Sequence, residues 1–569
     1  MSKKIYAPLL AAFLFFSTLT SLNAQLILRG PYLQSPGPNS IIIRWRTDTP
    51  TDSRVYYGTS IGSQTLFADS ATATTEHRVK INGLTPLTKY YYSVGTTTNT
   101  LRGNDAALFF NTAPDASSHS PIRFWTIGDF GHGNDGERKV RDSYLQYSQN
   151  TGHPADAQIW VGDNAYSDGT EAEFQSKVFD TINGYGNVFL NLPFISTSGN
   201  HDYNSICPWQ NAQGIPVLCG QDPNTHTGPY LNIIDPPTLG ELGGVASGRK
   251  IFYSMDYGDV HIASMNSELG SYTSAYNWTG VLNTSQTFTS PMLDWLKADL
   301  AATTKKWKVV IWHQTPYSGQ DNFTEENSVQ IFCTATRHHF NPILEQYGVD
   351  LVLVGHDHNY QRTFLINGHY GGKPDFDSAT MMINGTSGRE AEEGPYVKYT
   401  NGPLSGVGTV YVIAGNSSEG NTYSPIMHPA IYWGEACDTC YGSFIWDVNG
   451  DRLDGRYLTA TGEIKDSFTI VKQQWNSIQK TEPLANKVKV APNPFTDQTE
   501  ISFALNSNEE VHLDVYDISG KKVASNDYDN TKTGRQIYIF DGKNLSAGQY
   551  FYELKTEEQS LRGKLMLVK

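Results

Sequence analysis

The sequence predicts an α/β domain of mixed β-sheets flanked by helices, preceded by an all-β sandwich and followed by a small all-β unit. Three observations lead there. Between residues 120 and 471, short apolar runs without alternation, such as Val349–Val354, stop at a Gly followed by Asp, Asn or His, with helix-compatible stretches between several of them. Before that segment, short β-branched and aromatic runs recur at regular spacing between Thr, Ser, Gly and Pro. After it, the polar stretch KQQWNSIQKTEPLANK leads into a second set of alternating runs.

Residues 1–24 read as a secretory signal peptide. Lys3 and Lys4 precede the apolar stretch Leu9–Phe16, and Leu22-Asn23-Ala24 forms a small-residue cleavage site before Gln25. No other run approaches the ~18 apolar residues of a transmembrane helix. Residues 25–114 hold SIIIRWRTD, SRVYYGT, TEHRVKING and KYYYSVGTT as strands, with no cluster of metal ligands or nucleophiles. A polar linker precedes residues 120–471, where 137–149 and 291–303 suit helices and 251–268 suits a hairpin turning at Gly258-Asp259. Residues 472–487 form a second linker. Residues 488–569 alternate through EISFALN, EVHLDVYD, RQIYIFDG, GQYFYELKT and RGKLMLVK, as in a small sandwich.

Composition narrows the chemistry. The 42 basic and 57 acidic residues give a net charge of −15, which argues against nucleic acid as a partner and means that an anionic substrate needs local cations. In an exported chain its 5 cysteines are expected to pair. Cys207 with Cys219 is one candidate. Cys437 and Cys440 bridge each other or bind metal, and a disulfide is favoured because no second CxxC completes a zinc site. Cys333 is left as the free thiol.

The apolar runs of the α/β segment end in GDFG (128–131), GDNAY (162–166), GNHD (199–202), VVIWH (309–313) and GHDH (355–358). Asp129 and Asp163 are 34 residues apart, and Asp163 and Asn200 are 37, each interval fitting one strand–helix–strand unit. The 113 residues from Asn200 to His313 imply an insertion. Functional groups of open α/β sheets gather beyond the carboxyl ends of strands. Residues i and i+2 of extended chain share a face, so His356 and His358 can enter one site while Asp357 points away. The oxygen and nitrogen donors suit zinc, iron or manganese rather than a cysteine-held structural zinc. A carboxylate such as Asp163 can bridge two metals about 3.5–4 Å apart.

In this order the five blocks resemble those of the calcineurin-like metallophosphoesterases, and Tyr166 makes them similar to the purple acid phosphatase branch. The resemblance covers roughly residues 27–471 and includes RGPYLQSPGPNSIIIRWRT, YSMDYGDVHIASMNSE and DSFTI. It implies a metallophosphoesterase sandwich behind a fibronectin type III-like domain. It also implies two metal ions: Fe(III) on Asp129, Asp163, Tyr166 and His358, and Zn, Mn or Fe(II) on Asp163, Asn200, His313 and His356. Asn200 and His201 then face the substrate, with His201 catalytic, protonating the leaving alkoxide or orienting the phosphate.

The reaction implied is phosphomonoester hydrolysis by in-line attack of a metal-bound hydroxide. About +5 from the ions, about −3 from Asp129, Asp163 and a Tyr166 phenolate, and one negative charge for hydroxide leave about +1, a cationic site in an acidic protein. The same core serves phosphodiesterases and nucleotide pyrophosphohydrolases. A surface-binding protein with an inactive phosphatase domain is the non-enzyme alternative, against which the intact ligand set argues.

HQTPYSGQDNF (313–323) contains only His313, whereas many relatives carry further substrate-contacting histidines there. Tyr317, Gln320 and Asn322 are the candidates to replace them. His132 is a candidate for the site's edge, and His338 and His339 are expected on a helix surface or at a cap. The last eighty residues resemble the C-terminal sorting domain of type IX secretion through APNPF, VYDISGKKV, LSAGQYFYEL and KLMLVK. That implies a secreted or cell-surface protein, passed out by the secretion machinery and relieved of this domain afterwards, acting on a small phosphate ester.

Overall fold

The computed structural model describes residues 25–115, 118–203, 206–210, 216–218, 228–268, 290–319, 331–421, 428–475, 488–505, 509–531, 534–556 and 560–569. The signal peptide, the Cys207–Cys219 pairing, Gln320, Asn322 and most of the second linker lie outside them. Among the described residues no helix is long and apolar enough to cross a membrane.

The central segment is built on two seven-stranded mixed sheets. One runs, in spatial order, Tyr253–Tyr257, Val260–Ser264, Trp307–Ile311, Leu351–Val354, Val410–Ala414, Tyr360–Thr363 and Ile431–Glu435; its second to fifth strands, Val260–Ser264 to Val410–Ala414, pair in parallel. The other runs Tyr396–Tyr399, Ile464–Gln473, Arg452–Thr459, Gly442–Asn449, Ile122–Ile127, Ala157–Val161 and Phe194–Thr197, with the last three parallel. Phe124, Ile159, Val161 and Ile195 of the second sheet share one core with Val309, Ile311, Leu351 and Leu353 of the first. Alternate residues, among them Trp125, Ile127, Trp160, Val310, Val352 and Val354, pack with the helices in another core. Burial on both faces is why these runs read as continuous apolar stretches.

The expected helices are present as Asp135–Thr151 and Pro291–Ala302. Asn134 caps the first by accepting the Glu137 N–H at 3.0 Å, and Gly152 closes it with a left-handed φ of 64°. The hairpin pairs Tyr253–Tyr257 with Val260–Ser264 around Gly258-Asp259. His338 and His339 end the helix Ile331–His339, half-buried. Cys437 and Cys440 form a disulfide, and Cys333 is free and buried.

In the N-terminal domain, SIIIRWRTD and SRVYYGT are one strand rather than two. Ser40–Gly58 pairs with Ile27–Gln34, Leu66–Asn82 and Lys89–Gly95. Its register with Leu66–Asn82 shifts between Arg46 and Ser53, so the Thr-Pro-Thr break seen in the sequence is an irregularity within a strand. The domain encloses Leu33, Ile43, Trp45, Val79, Tyr92 and Phe110. It docks on the central segment through Tyr92, whose hydroxyl donates to Leu190 O at 2.7 Å, and Arg44, which donates to Ile233 O at 2.6 Å. The C-terminal domain has a three-stranded and a four-stranded sheet around Ile501, Phe503, Leu513, Val515, Phe540 and Leu554. Two of its strands, Lys489–Ala491 and Lys522–Thr531, were not among those expected.

Candidate metal centre

Each candidate ligand sits just past a strand. Asp129, Asp163 and His356 follow Ile122–Ile127, Ala157–Val161 and Leu351–Val354, and all three have left-handed backbones, with φ of 53°, 49° and 71°. Non-glycine residues pay roughly 1–3 kcal/mol for such conformations, and they cluster where a site fixes a side chain's direction. The preceding glycines allow the strands to converge. A Cβ on Gly355 would stand 2.4 Å from Asp129 Oδ2, and one on Gly199 would stand 2.3 Å from Asp163 Oδ1.

The side chains meet as two donor sets sharing one atom. The Tyr166 hydroxyl lies 3.2 Å from Asp129 Oδ1, 3.1 Å from Asp163 Oδ2 and 3.2 Å from His358 Nε2. His358 Nε2 is 3.3 Å from Asp129 Oδ1. On the other side, His313 Nε2 is 3.2 Å from the same Asp163 Oδ2 and 3.1 Å from Asn200 Oδ1. Asp163, His313 and His356 each offer a ligand atom within 4.8 Å of the others. Backbone donors steady the carboxylates: His356 N–H reaches Asp129 Oδ2 at 2.9 Å, and His201 N–H reaches Asp163 Oδ1 at 2.7 Å.

These residues fit a pair of cations. The Tyr166 phenol has one proton to offer three lone-pair atoms, so its own hydrogen bonding leaves most of that convergence unsatisfied. His313 Nδ1–H donates to the Val161 carbonyl at 2.9 Å, which fixes the tautomer and turns the Nε2 lone pair inward.

The electrostatics agree. Burial alone would lower the His313 and His358 pKa values, but Asp163 and Asp129 push His313 up to about 10, and Asp129 with Glu419 pushes His358 up to about 9. Burial opposes ionisation of Asp163, yet His313, His201 and His356 hold it below the usual carboxylate range. Burial and then the two aspartates raise Tyr166 well above an ordinary phenol. His356 is driven well below its usual value, first by burial and then by His313. The protons drawn onto His313 and His358 sit where cations would balance the same negative charge, and binding of metal to such ligands would release them.

The site's edge holds residues that strand-end motifs do not reveal. His132 stacks on Tyr166 with centroids 3.9 Å apart, and its Nε2 is 3.3 Å from Glu419. Glu419 also lies 3.5 Å from His358 Nδ1. His201 lies on the Tyr166 ring at 4.5 Å; its Nδ1–H donates to Ser167 O at 2.6 Å, and its Nε2 stands 3.9 Å from Asp163 Oδ2. Behind Asn200, the Gln314 amide donates to Asn200 Oδ1 at 3.3 Å and to the buried Glu268 at 3.1 Å. No spacing rule pointed to Glu268, Gln314 or Glu419.

Tyr317 is not at the site. It is fully buried, and its hydroxyl donates to His369 O at 2.6 Å, because the chain past His313 turns it into the core beside His369 and His428. Asp357 points away from the cluster, accepting from Ser318 and from Gln361 at 2.9 Å.

Comparisons with known proteins fall on the same segments. Residues 29–112 match the purple acid phosphatase N-terminal domain, 122–360 the calcineurin-like phosphoesterase family and 489–569 the secretion system C-terminal sorting domain. Acid phosphatase A of Cryphonectria parasitica is 27% identical over 58% of this chain and 74% of its own length. Acid phosphatase type 7 of Danio rerio is 24% identical over 78% of this chain and 91% of its own. A purple acid phosphatase of Glycine max is 24% identical over 57% of this chain and 62% of its own. Among solved structures, a purple acid phosphatase from yellow lupin (Lupinus luteus) seeds superposes with a TM-score of 0.56 at 16% identity, covering 81% of this chain and 78% of that one, a likeness of fold.

Proposed function

We propose that this chain, a metal-dependent phosphoesterase that joins a purple acid phosphatase N-terminal domain, a calcineurin-like phosphoesterase domain and a secretion sorting domain, is an exported acid phosphatase cleaving phosphomonoesters at a dinuclear centre. The observation that carries this reading is the sharing of Asp163 Oδ2: it lies 3.1 Å from the Tyr166 hydroxyl and 3.2 Å from His313 Nε2. In this reading Asp129, Asp163, Tyr166 and His358 hold Fe(III), while Asp163, Asn200, His313 and His356 hold Zn, Mn or Fe(II). Two such ions supply Lewis acidity: they activate water and neutralise charge at phosphorus.

The chain's own groups do the rest. Asp163 sets the spacing of the two donor sets, and the His201 N–H holds its second oxygen. His201 keeps Nδ1–H on the Ser167 carbonyl and turns Nε2 toward the site, so a proton passed to a leaving alkoxide comes from Nε2 of the imidazolium. Asn200 and His201 orient the phosphate. The domain limits that suit this reading are 25–114, 120–471 and 488–569, with 472–487 as a linker and the last domain an address label removed after export.

The test is a substrate pair. Protein loaded with two metals should hydrolyse p-nitrophenyl phosphate faster than bis-p-nitrophenyl phosphate. Preference for the diester redirects the reading to a phosphodiesterase, and no hydrolysis of either sinks it.

A further inference from the structure

The N-terminal β domain holds no ligand of the candidate centre, yet side chains from it reach the element behind Tyr166. That element is a short helical segment, Glu171–Glu173 continued by the π-turn Phe174–Val178. Its polar residues divide between two directions. Glu171 and Gln175, four apart, face the β domain: Glu171 accepts from both Arg29 and Arg46, Gln175 accepts from Arg29 Nε at 2.9 Å, and Gln175 donates to Leu28 O at 2.6 Å.

Glu173 and Lys177, also four apart, face the loop of Tyr166. Glu173 accepts the backbone N–H groups of Ser167, of Asp168 at 3.1 Å and of Thr170 at 3.0 Å. Lys177 donates to Tyr166 O and pairs with Glu173 at 3.2 Å. The same loop gives the Ser167 carbonyl that holds His201.

We propose that the N-terminal domain is a positioning module for the catalytic loop, with Arg29 and Arg46 acting through the segment 171–178 to fix Tyr166 and His201. This rests on the roles given to those two residues above. Arg29 is 1% exposed and lies 4.8 Å over the Phe179 ring, so the clamp is anchored in packed surroundings at the β-domain end. The outward pair Glu171 and Gln175 and the inward pair Glu173 and Lys177 lie on one continuous helical segment. Loss of the outward set frees the turn and, with it, the amides that Glu173 holds. Glu171, Gln175, Glu173 and Lys177 are positioning residues and touch no substrate.

The domain also meets the catalytic segment through Arg78 and Asp235, an ion pair unconnected to the Tyr166 loop. That pair supplies the control. Hydrogen exchange of residues 166–170, which needs neither metal nor turnover, is followed in the full chain for wild type, Glu171→Ala, Lys177→Met and Arg78→Ala. The expected result is exchange about tenfold faster in both Glu171→Ala and Lys177→Met, as for opening of a local unit, and unchanged in Arg78→Ala. In iron-loaded protein the first two variants should also broaden or weaken the visible band of the Tyr166 phenolate.

Exchange unchanged in Glu171→Ala, or raised as much by Arg78→Ala, overturns the proposal. A wild type that holds two cations without a visible band overturns the ligand role of Tyr166 instead, and the exchange measurement still judges the clamp.

Discussion

Asp163 Oδ2 stands 3.2 Å from His313 Nε2 although 149 residues of chain, including an insertion with the hairpin Tyr253–Ser264, lie between the two. The strands that carry them, Ala157–Val161 and Trp307–Ile311, belong to different sheets. The contact is therefore made across the top of the sandwich, where both sheets present strand ends, and a metal pair there would be held by the two layers together.

Tyr166→Phe should abolish the visible absorption of iron-loaded protein while the second cation remains. The phenol is nearly buried, and its hydroxyl is the part that reaches Asp129, Asp163 and His358. An unchanged spectrum in the variant would remove Tyr166 from the ligand set.

His201→Ala should lower kcat on a phosphomonoester by about 10²–10⁴, the usual weight of a general acid, with metal content unchanged. The substitution spares the backbone N–H that holds Asp163, so metal loss is not expected. A variant with wild-type kcat at every pH would leave His201 without a role in proton transfer.

Gln314→Leu removes the donor shared by Asn200 and the buried Glu268. Leaving such groups unpaired costs roughly 1–3 kcal/mol, and outer partners of metal ligands typically change affinity by about 10–100-fold. Thermal unfolding and metal titration should therefore both move; a change in neither would make this bridge incidental.

His261 sets a pH dependence of stability away from the site. It is buried between Asp256 and Asp299, at 2.8 Å from each. Burial would lower its pKa, but the two carboxylates raise it to about 9. Because the folded value exceeds the unfolded value of about 6.5, the stabilisation is fully present below pH ~6.5 and is lost as pH rises through about 9; it amounts to about 3 kcal/mol. The unfolding temperature should fall across that window in wild type and much less in His261→Gln. Parallel curves for the two would contradict this.

What was legible in the sequence follows from where the candidate ligands sit. A strand buried on both faces is a continuous apolar run, and Gly marks its end in four of the five blocks, so Asp129, Asp163, Asn200, His356 and His358 could be read in order, with His313 at the end of the apolar run VVIW. The layers were legible for the same reason. Glu419, Gln314 and Glu268 reach the site only because loops pack against it, and no periodicity records loop packing. Tyr317 misled because it follows His313 closely, yet the turn after the strand sends it into the core. The long strand Ser40–Gly58 reads as two because Thr, Pro and Asp resemble a turn, whereas pairing with Leu66–Asn82 carries it through the irregularity.

The most direct test of the shared centre is the number of metal ions per chain, measured by elemental analysis in wild type and in Asp163→Asn. If Asp163 joins both donor sets, wild type holds two ions and the variant loses at least one, along with phosphatase activity. A wild type that binds no more than one ion, or an Asp163→Asn protein that retains two, would contradict the account.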